Sequence, residues 1–571
     1  GDMPAPSPRG DVVAFEKGHE IWSVPLDGSR PAARLFFTRG ENTSPTWSPD
    51  GRTLAFVSQR ETHSFIGLYT SDTEPIRYIS PSTSQDSYPV WSLDGSRVMF
   101  VRRPGRGGAT NPPLTPRPQP WAIWVADVKS GNAREVWRSA DTLRASYPRT
   151  QGGANLQWAA GDRIVFLSYQ DGWPHLYSVA ATGGEARVLT PGNFMVEFVT
   201  SSPDRKFVIY NANAGKDPDD IERRHLFSVP VDGVSPPSAI TTGEGLEWSP
   251  VVSSGGTLAY LGSDARKPAM TFVRSLTGPG AGRALDADLL PPDFPASKLV
   301  VPQHVTFKAP DGTTVHGQLF QAANGARKQP AIVFVHGGPP RQMLVGWHYM
   351  FYYSNAYAVN QYLASRGFVV LSVNYRLGIG YGYDFHQPPD GGGRGASEYQ
   401  DVLAGAKYLQ ARPDVDAARV GIWGGSYGGY LTALALGRNS DVFAAGVDIH
   451  GVHTRVTPPL DEVQTAAALN DGLSPEDLAR ALKVAWESSP DAYVSTWKSP
   501  VLFIHGDDDR NVRVAETIEL VQRLKGRDVK YEEIIIPDEI HDFLLYRSWL
   551  RVDTATADFF ERTFKPGSPR T

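Results

Sequence analysis

The segment Ser44-Pro45-Thr46-Trp47-Ser48-Pro49-Asp50-Gly51-Arg52-Thr53-Leu54-Ala55-Phe56 returns as Ser87-Tyr88-Pro89-Val90-Trp91-Ser92-Leu93-Asp94-Gly95-Ser96-Arg97-Val98-Met99-Phe100, and the two tryptophans stand 44 residues apart. Weaker copies run over residues 7–15, 158–166, 202–210 and 255–260. In each copy an Asp-Gly, or a degenerate form of it, reverses the chain and an alternating apolar strand follows. A second strand comes next, as over 20–24 or 175–179. One such unit cannot bury its own apolar face, so neighbouring units must pack together. Short strands repeating at about 40–50 residues predict a β-propeller of six or seven blades over residues 1–290. The third repeat carries an insert over 102–120, rich in Pro, Gly and Arg, whose composition predicts a mobile loop.

The repeats stop near Leu285, and Pro291-Pro292-Asp293-Phe294-Pro295 reads as a linker. From 297 to 571 the rhythm changes. Strand-like runs at 331–335, 368–373, 420–423, 501–504 and 531–536 alternate with helical stretches at 360–366, 398–409, 514–524 and 551–564. That alternation predicts an α/β-hydrolase domain, a mostly parallel sheet covered by helices on both faces.

Gly424-Gly425-Ser426-Tyr427-Gly428-Gly429 sits where a strand hands over to a helix. In that context Gly-x-Ser-x-Gly predicts a sharp turn that lifts a serine hydroxyl above the end of the sheet. Glycines flank the serine because bulky neighbours would collide there. A serine needs a base, and the base an orienting acid, following in the order Ser, acid, His on later loops. His505-Gly506-Asp507-Asp508-Asp509 follows one strand, and Pro537-Asp538-Glu539-Ile540-His541 follows the last. The residues themselves leave three adjacent aspartates open. His450, His453 and His505 are rivals to His541, but none lies in the loop after the last strand. For the oxyanion, the Tyr427 amide and the loop His336-Gly337-Gly338-Pro339-Pro340 are the candidate donors.

With HGGP at 336–339, NYR at 374–376, GYG at 380–382, GGSYGG at 424–429, HGDDDRNV at 505–512 and PDEIH at 537–541, the chain resembles the prolyl oligopeptidase family of serine peptidases. Within it the chain is most similar to the acylaminoacyl-peptidase-like group. The resemblance implies Ser426 as nucleophile, His541 as base and Asp509 as its acid, with the oxyanion held by the amides of Tyr427 and Gly338. Dipeptidyl members use a tyrosine hydroxyl at the position of His336, so a main-chain donor is expected here. The resemblance further implies substrate contacts from Asn511, Val512, Arg510, Val452 and Arg455, with Tyr427 and Val512 as walls of the pocket for the residue before the cut bond. Arg455 stands where dipeptidyl relatives carry tryptophan, and no Glu-Glu pair precedes residue 297. The implied activity is hydrolysis of short peptides; dipeptidyl peptidase, carboxylesterase or small-amide hydrolase, and inactive scaffold are the alternatives.

Composition excludes several classes. No cysteine is present, which removes disulfides, thiolate zinc sites and a cysteine nucleophile. With 56 basic and 61 acidic residues, no basic excess calls for nucleic acid. No run of about 18 apolar residues calls for a membrane span. No metal or cofactor is called for, and a homo-oligomer stays open. Gly1-Asp2-Met3-Pro4 lacks the features of a signal peptide, which favours the cytoplasm over the periplasm.

Overall fold

The computed structural model describes residues 2–107, 112–278, 280, 282–322, 328–456 and 474–564. Up to Ala284 the described chain forms four separate four-stranded antiparallel sheets and one eight-stranded sheet. The eight-stranded sheet is two such units joined by a single parallel bridge, Ser64 to Gln85. Six four-stranded units therefore stand among the described residues.

The repeated motif explains itself at atomic level. Ser48 Oγ donates to Asp50 (2.6 Å) and accepts the Thr53 amide (3.0 Å), which closes the turn. The same pair of bonds recurs at Ser92 with Asp94 and Arg97, and at Ser202 with Asp204 and Phe207. The repeated tryptophans tie one unit to the previous one. Trp47 Nε1 donates to the Ala5 carbonyl and Trp91 Nε1 to the Thr46 carbonyl, each at 3.0 Å. The alternating strands then bury Leu54, Phe56, Val98 and Phe100 completely.

The second half builds one eight-stranded sheet. Its strands are β1 (Gln303–Lys308), β2 (Thr314–Phe320), β3 (Gln329–Val335), β4 (Val369–Asn374), β5 (Val415–Gly425), β6 (Ala445–Ile449), β7 (Val501–Gly506) and β8 (Tyr531–Ile536). Their spatial order is β1-β2-β4-β3-β5-β6-β7-β8. The first two pairings are antiparallel and the rest parallel. The helices used below are α1 (Phe351–Ser365), α2 (Glu398–Gln410), α3 (Tyr427–Arg438), α4 (Pro475–Glu487), α5 (Ala515–Leu524) and α6 (Tyr546–Phe564). Two apolar clusters form, one containing α2, α3 and α5, the other α1 and α6. The central strands, β3 and β4 above all, are therefore buried on both faces, which is why they read as unbroken apolar runs.

Polar bonds fasten the propeller to this domain. Glu222 is fully buried and accepts from Tyr381, Gln318 and Asn374. Arg224 bridges Glu197 (2.6 Å) and Gln342 (2.9 Å), and Asn213 donates to the Gly380 carbonyl (2.8 Å). The bonds from Glu222, from Arg224 to Gln342 and from Asn213 to Gly380 cross between the halves, so separating them breaks a linked set of buried polar contacts.

Two acids, Asp553 and Asp558, line the groove between α1 and α6. Asp553 faces Ala358, Val359 and Tyr362, and no cation pairs with it among the described residues. Burial pushes its carboxyl up to about 7. Between the unfolded value and 7 the folded chain holds a proton that the unfolded chain releases, so stability falls as pH rises through that window. Asp553→Asn should raise the unfolding free energy by about 1–3 kcal/mol at pH 8 and by less at pH 5. Thermal melts at the two pH values measure the difference.

Candidate active site

Strand β5 runs between β3 and β6 and ends at Gly425; α3 begins at Tyr427. Ser426 joins them with φ 59° and ψ −117°, a conformation that costs a non-glycine residue on the order of 1–3 kcal/mol. The surroundings enforce it. A Cβ on Gly424 would lie 2.3 Å from the Val335 carbonyl oxygen, and one on Gly428 only 2.1 Å from the same atom. Only glycine on both sides lets strand and helix approach this closely. The Ser426 amide donates to the Ile449 carbonyl (2.9 Å), and its own carbonyl accepts from Tyr430 (3.0 Å).

Asp509 and His541 come from the loops after β7 and β8. His541 Nδ1 lies 2.6 Å from Asp509 Oδ2. The other carboxylate oxygen accepts the amides of Asn511 (2.8 Å) and Val512 (2.9 Å). Burial works to raise this acid, but the hydrogen bonds from His505, His541 and the Val512 amide overcome it and hold the carboxyl far below the usual range. Its two neighbours are spent elsewhere: Asp507 caps the Asp538 amide, and Asp508 pairs with exposed Arg510. Of three adjacent aspartates, only Asp509 meets the histidine.

The rival histidines have other places. His505 is fully buried at its strand end, between the Thr517 hydroxyl (2.8 Å) and the Val512 carbonyl (2.9 Å). His453 bonds Asp448 (2.7 Å). His450 lies directly beneath His541, ring centroids 4.2 Å apart, with Phe543 on its other side and the Tyr352 hydroxyl on Nε2 (2.8 Å). Burial keeps His450 well below the ordinary histidine value, so it is an uncharged support for the ring above it. His450 Nε2 would also lie 2.9 Å from a Cβ on Gly425, so the same stack reaches the residue before Ser426. The serine hydroxyl makes no hydrogen bond to His541 among the described residues. Such bonds commonly tighten only when substrate is bound.

On the opposite flank runs the 336–340 loop. A Cβ on Gly337 would meet Ser426 Cβ at 3.1 Å and the Tyr353 hydroxyl at 3.2 Å. Gly338 takes φ 113°, open to glycine alone, and turns the loop beside the serine. The imidazole of His336 is turned away: it is fully buried, stacks on Tyr375 at 4.2 Å and approaches the Gly337 carbonyl through Nδ1. Tyr427 opens α3, where the first amides have no partner inside the helix.

The other expected contacts differ in exposure. Val512 is buried, Val452 half-buried, and the side chains of Asn511 and Arg510 are exposed. The Tyr427 hydroxyl donates to buried Glu398 Oε1 (2.6 Å). Arg455 lies over the rings of Tyr427 and Tyr430. Sequence reasoning missed Tyr353, Tyr352, Glu398 and the role of His450; all reach the site from distant elements, with no local motif to flag them. Residues 108–111 of the basic insert lie outside the described residues, while Pro116, Arg117 and Gln119 line a cavity between the two halves.

Residues 354–567 match the prolyl oligopeptidase family model, and residues 125–266 match the model of the dipeptidyl peptidase IV N-terminal region. Dipeptidyl-peptidase 5 of Porphyromonas gingivalis is 22% identical over 91% of this chain and 65% of its own length. The chain thus spans about two thirds of that relative. The acylamino-acid-releasing enzyme of Sus scrofa is 25% identical over 87% of this chain and 76% of its own. A Mycobacterium tuberculosis puromycin-hydrolyzing peptidase has the same fold, with TM-score 0.77 at 20% identity over 98% of this chain and 85% of its own. With a serine elbow, an Asp–His pair and a β-propeller on one chain, and with both family models matched in their proper halves, the catalytic half of the protein matches the prolyl oligopeptidase family of serine peptidases.

Proposed function

We propose that the protein hydrolyses short peptides through an acyl-enzyme, as an acylaminoacyl-peptidase or oligopeptidase. The observation that carries this reading is the 2.6 Å bond between Asp509 and His541, made beside an elbow that presents Ser426. Ser426 Oγ attacks the peptide carbonyl carbon while His541 Nε2 takes its proton. The amides of Tyr427 and Gly338 hold the oxyanion. His541 then returns the proton to the leaving amine, the C–N bond breaks, and water repeats the cycle on the ester.

Tyr353 adds a donor that the motifs do not announce. Its hydroxyl faces Gly337 beside Ser426, and burial raises it to about 12, so it stays protonated. Tyr353→Phe should lower kcat by about 10-fold with little change in KM, the signature of a bond made mainly in the transition state. Steady-state kinetics on one peptide substrate would show it; an unchanged kcat removes Tyr353 from the oxyanion site.

The propeller, bolted on through Glu222 and Arg224, supports a restriction to short, unfolded chains. The curated relatives carry both acylamino-acid-releasing and dipeptidyl-peptidase names. Dipeptide release is the second reading, although the propeller's Glu-Glu pair is missing. Cleavage profiling of free, N-acetylated and C-amidated peptides by mass spectrometry separates the two. Release of the acetylated first residue supports the first reading; release of dipeptides only from free amino termini would replace it.

A further inference from the structure

A cation close to the nucleophile's helix has no ion-pair partner among the described residues. Arg455 follows β6 and lays its guanidinium over two rings of α3, 4.8 Å from the centroid of Tyr427 and 4.1 Å from that of Tyr430. Tyr427 is the residue directly after the nucleophile. Nε and Nη2 of Arg455 are buried, and neither has a hydrogen-bond partner among the described residues. The two rings hold the guanidinium by cation–π contact, and its Nε–Nη2 edge is left for another group.

The nearest internal acid is committed elsewhere. Glu398 is fully buried, and its Oε1 accepts from the Tyr427 hydroxyl (2.6 Å) while Oε2 accepts the Gly392 amide (3.1 Å). It softens the local field without forming an ion pair with Arg455 among the described residues. Gly392 and Gly393 complete the wall: a Cβ on Gly392 would lie 3.3 Å from the Tyr427 hydroxyl, and one on Gly393 3.7 Å from Arg455 Cβ. These two glycines put no side chain of their own between the 392–394 turn and Arg455.

A second observation points the same way. The segment around Gly392 also borders a cavity of about 380 Å³ between the propeller and the catalytic domain. Arg117, Arg144, Arg149 and Arg394 line it. Asp384 is the one carboxylate among its lining residues, and Arg144 already grips both of its oxygens. No carboxylate pairs with Arg117 or Arg149 among the described residues. A chain with a net charge of −5 has therefore gathered cations at this seam. Charge collected in a cleft raises the local concentration of oppositely charged substrate.

We infer that the enzyme selects peptides with an acidic residue, Asp or Glu, immediately before the cut bond, and that Arg455 reads the side-chain carboxylate. This rests on the peptidase function proposed above and adds the substrate class. A neutral isostere would leave the fork unpaired, whereas a carboxylate completes it with charge-assisted bonds.

The test uses the full chain and three fluorogenic peptides that differ only in that residue: Glu, Gln or Ala. The wild type should show kcat/KM for Glu above that for Gln by about 10- to 100-fold. Arg455→Met should bring the Glu/Gln ratio close to one, with fluorophosphonate labelling of Ser426 reporting that the variant remains folded. If the variant fails to label, the wild-type ratio decides alone, and its decline with added salt is the second readout. Cleavage of Gln or Ala as fast as Glu by the wild type, or an unchanged ratio in a labelled variant, overturns the acidic preference and leaves the peptidase function standing. Cleavage of none of the three, with no labelling of Ser426, removes both.

Discussion

Replacing Ser426 with alanine should lower kcat by roughly 10⁶-fold while leaving the thermal midpoint nearly unchanged. The size follows from what the hydroxyl does. Without it no acyl-enzyme can form, and the base and oxyanion donors are left with water as the only attacking group. What survives is the rate supplied by binding and the oxyanion site alone, about 10³–10⁴ over water in enzymes of this kind. The fold should be indifferent, because the strained backbone at 426 is held by neighbours. The Ser426 amide stays on the Ile449 carbonyl, and the close approach of Gly424 and Gly428 to Val335 is untouched. Single-turnover kinetics beside a thermal melt measures both. A variant with near-normal kcat would show that another group attacks the substrate.

Asp509→Asn should cost about 10⁴-fold in kcat, and here the structure supplies the reason. Oδ1 of Asp509 accepts two backbone amides, from Asn511 and Val512. An asparagine must keep its carbonyl oxygen on those two donors, because an NH₂ group cannot accept them. Its NH₂ then occupies the place of Oδ2 and points at His541 Nδ1. The imidazole must accept there, so its proton moves to Nε2, the nitrogen that should take the proton from Ser426. The ring stays in position, gripped by His450 at 4.2 Å, but in the wrong tautomer. Substrate binding should survive, so the loss falls on kcat rather than KM. Asp508→Asn serves as the control, because that carboxylate pairs only with exposed Arg510 and should leave kcat within a factor of about two. If the 508 variant lost activity and the 509 variant kept it, the acid would have been assigned wrongly.

Much of this architecture is legible in the residues because its signals are local. The Trp-Ser-x-Asp-Gly repeat encodes its own turn through Ser48 and Asp50, and the partner of the Trp47 or Trp91 indole lies in the preceding unit, 42 or 45 residues back. The elbow likewise declares itself within six residues. What escaped depends on partners far away in the chain. Strands β1 and β2 carry mixed polarity, and only their antiparallel pairing with each other and with β4 makes them strands. Helix α1 begins nine residues before the predicted stretch, since Phe351 to Val359 mixes aromatic, polar and small side chains with no strong periodicity. His450 read as a rival base because sequence cannot show that its ring lies 4.2 Å from that of His541. Arg455 reads from the resemblance as a substrate contact standing where relatives carry tryptophan, and its nitrogens over Tyr427 and Tyr430, unpartnered among the described residues, make it a candidate reader of charge.

The central claim is that one hydroxyl among all the serines is made reactive by a histidine and an aspartate carried on separate loops. Treatment of the intact protein with a fluorophosphonate, followed by peptide mapping, tests it most directly. One adduct per chain on Ser426, formed slowly or not at all in His541→Ala, is the predicted outcome. No adduct, an adduct on a different serine, or labelling at full rate without the imidazole would contradict it.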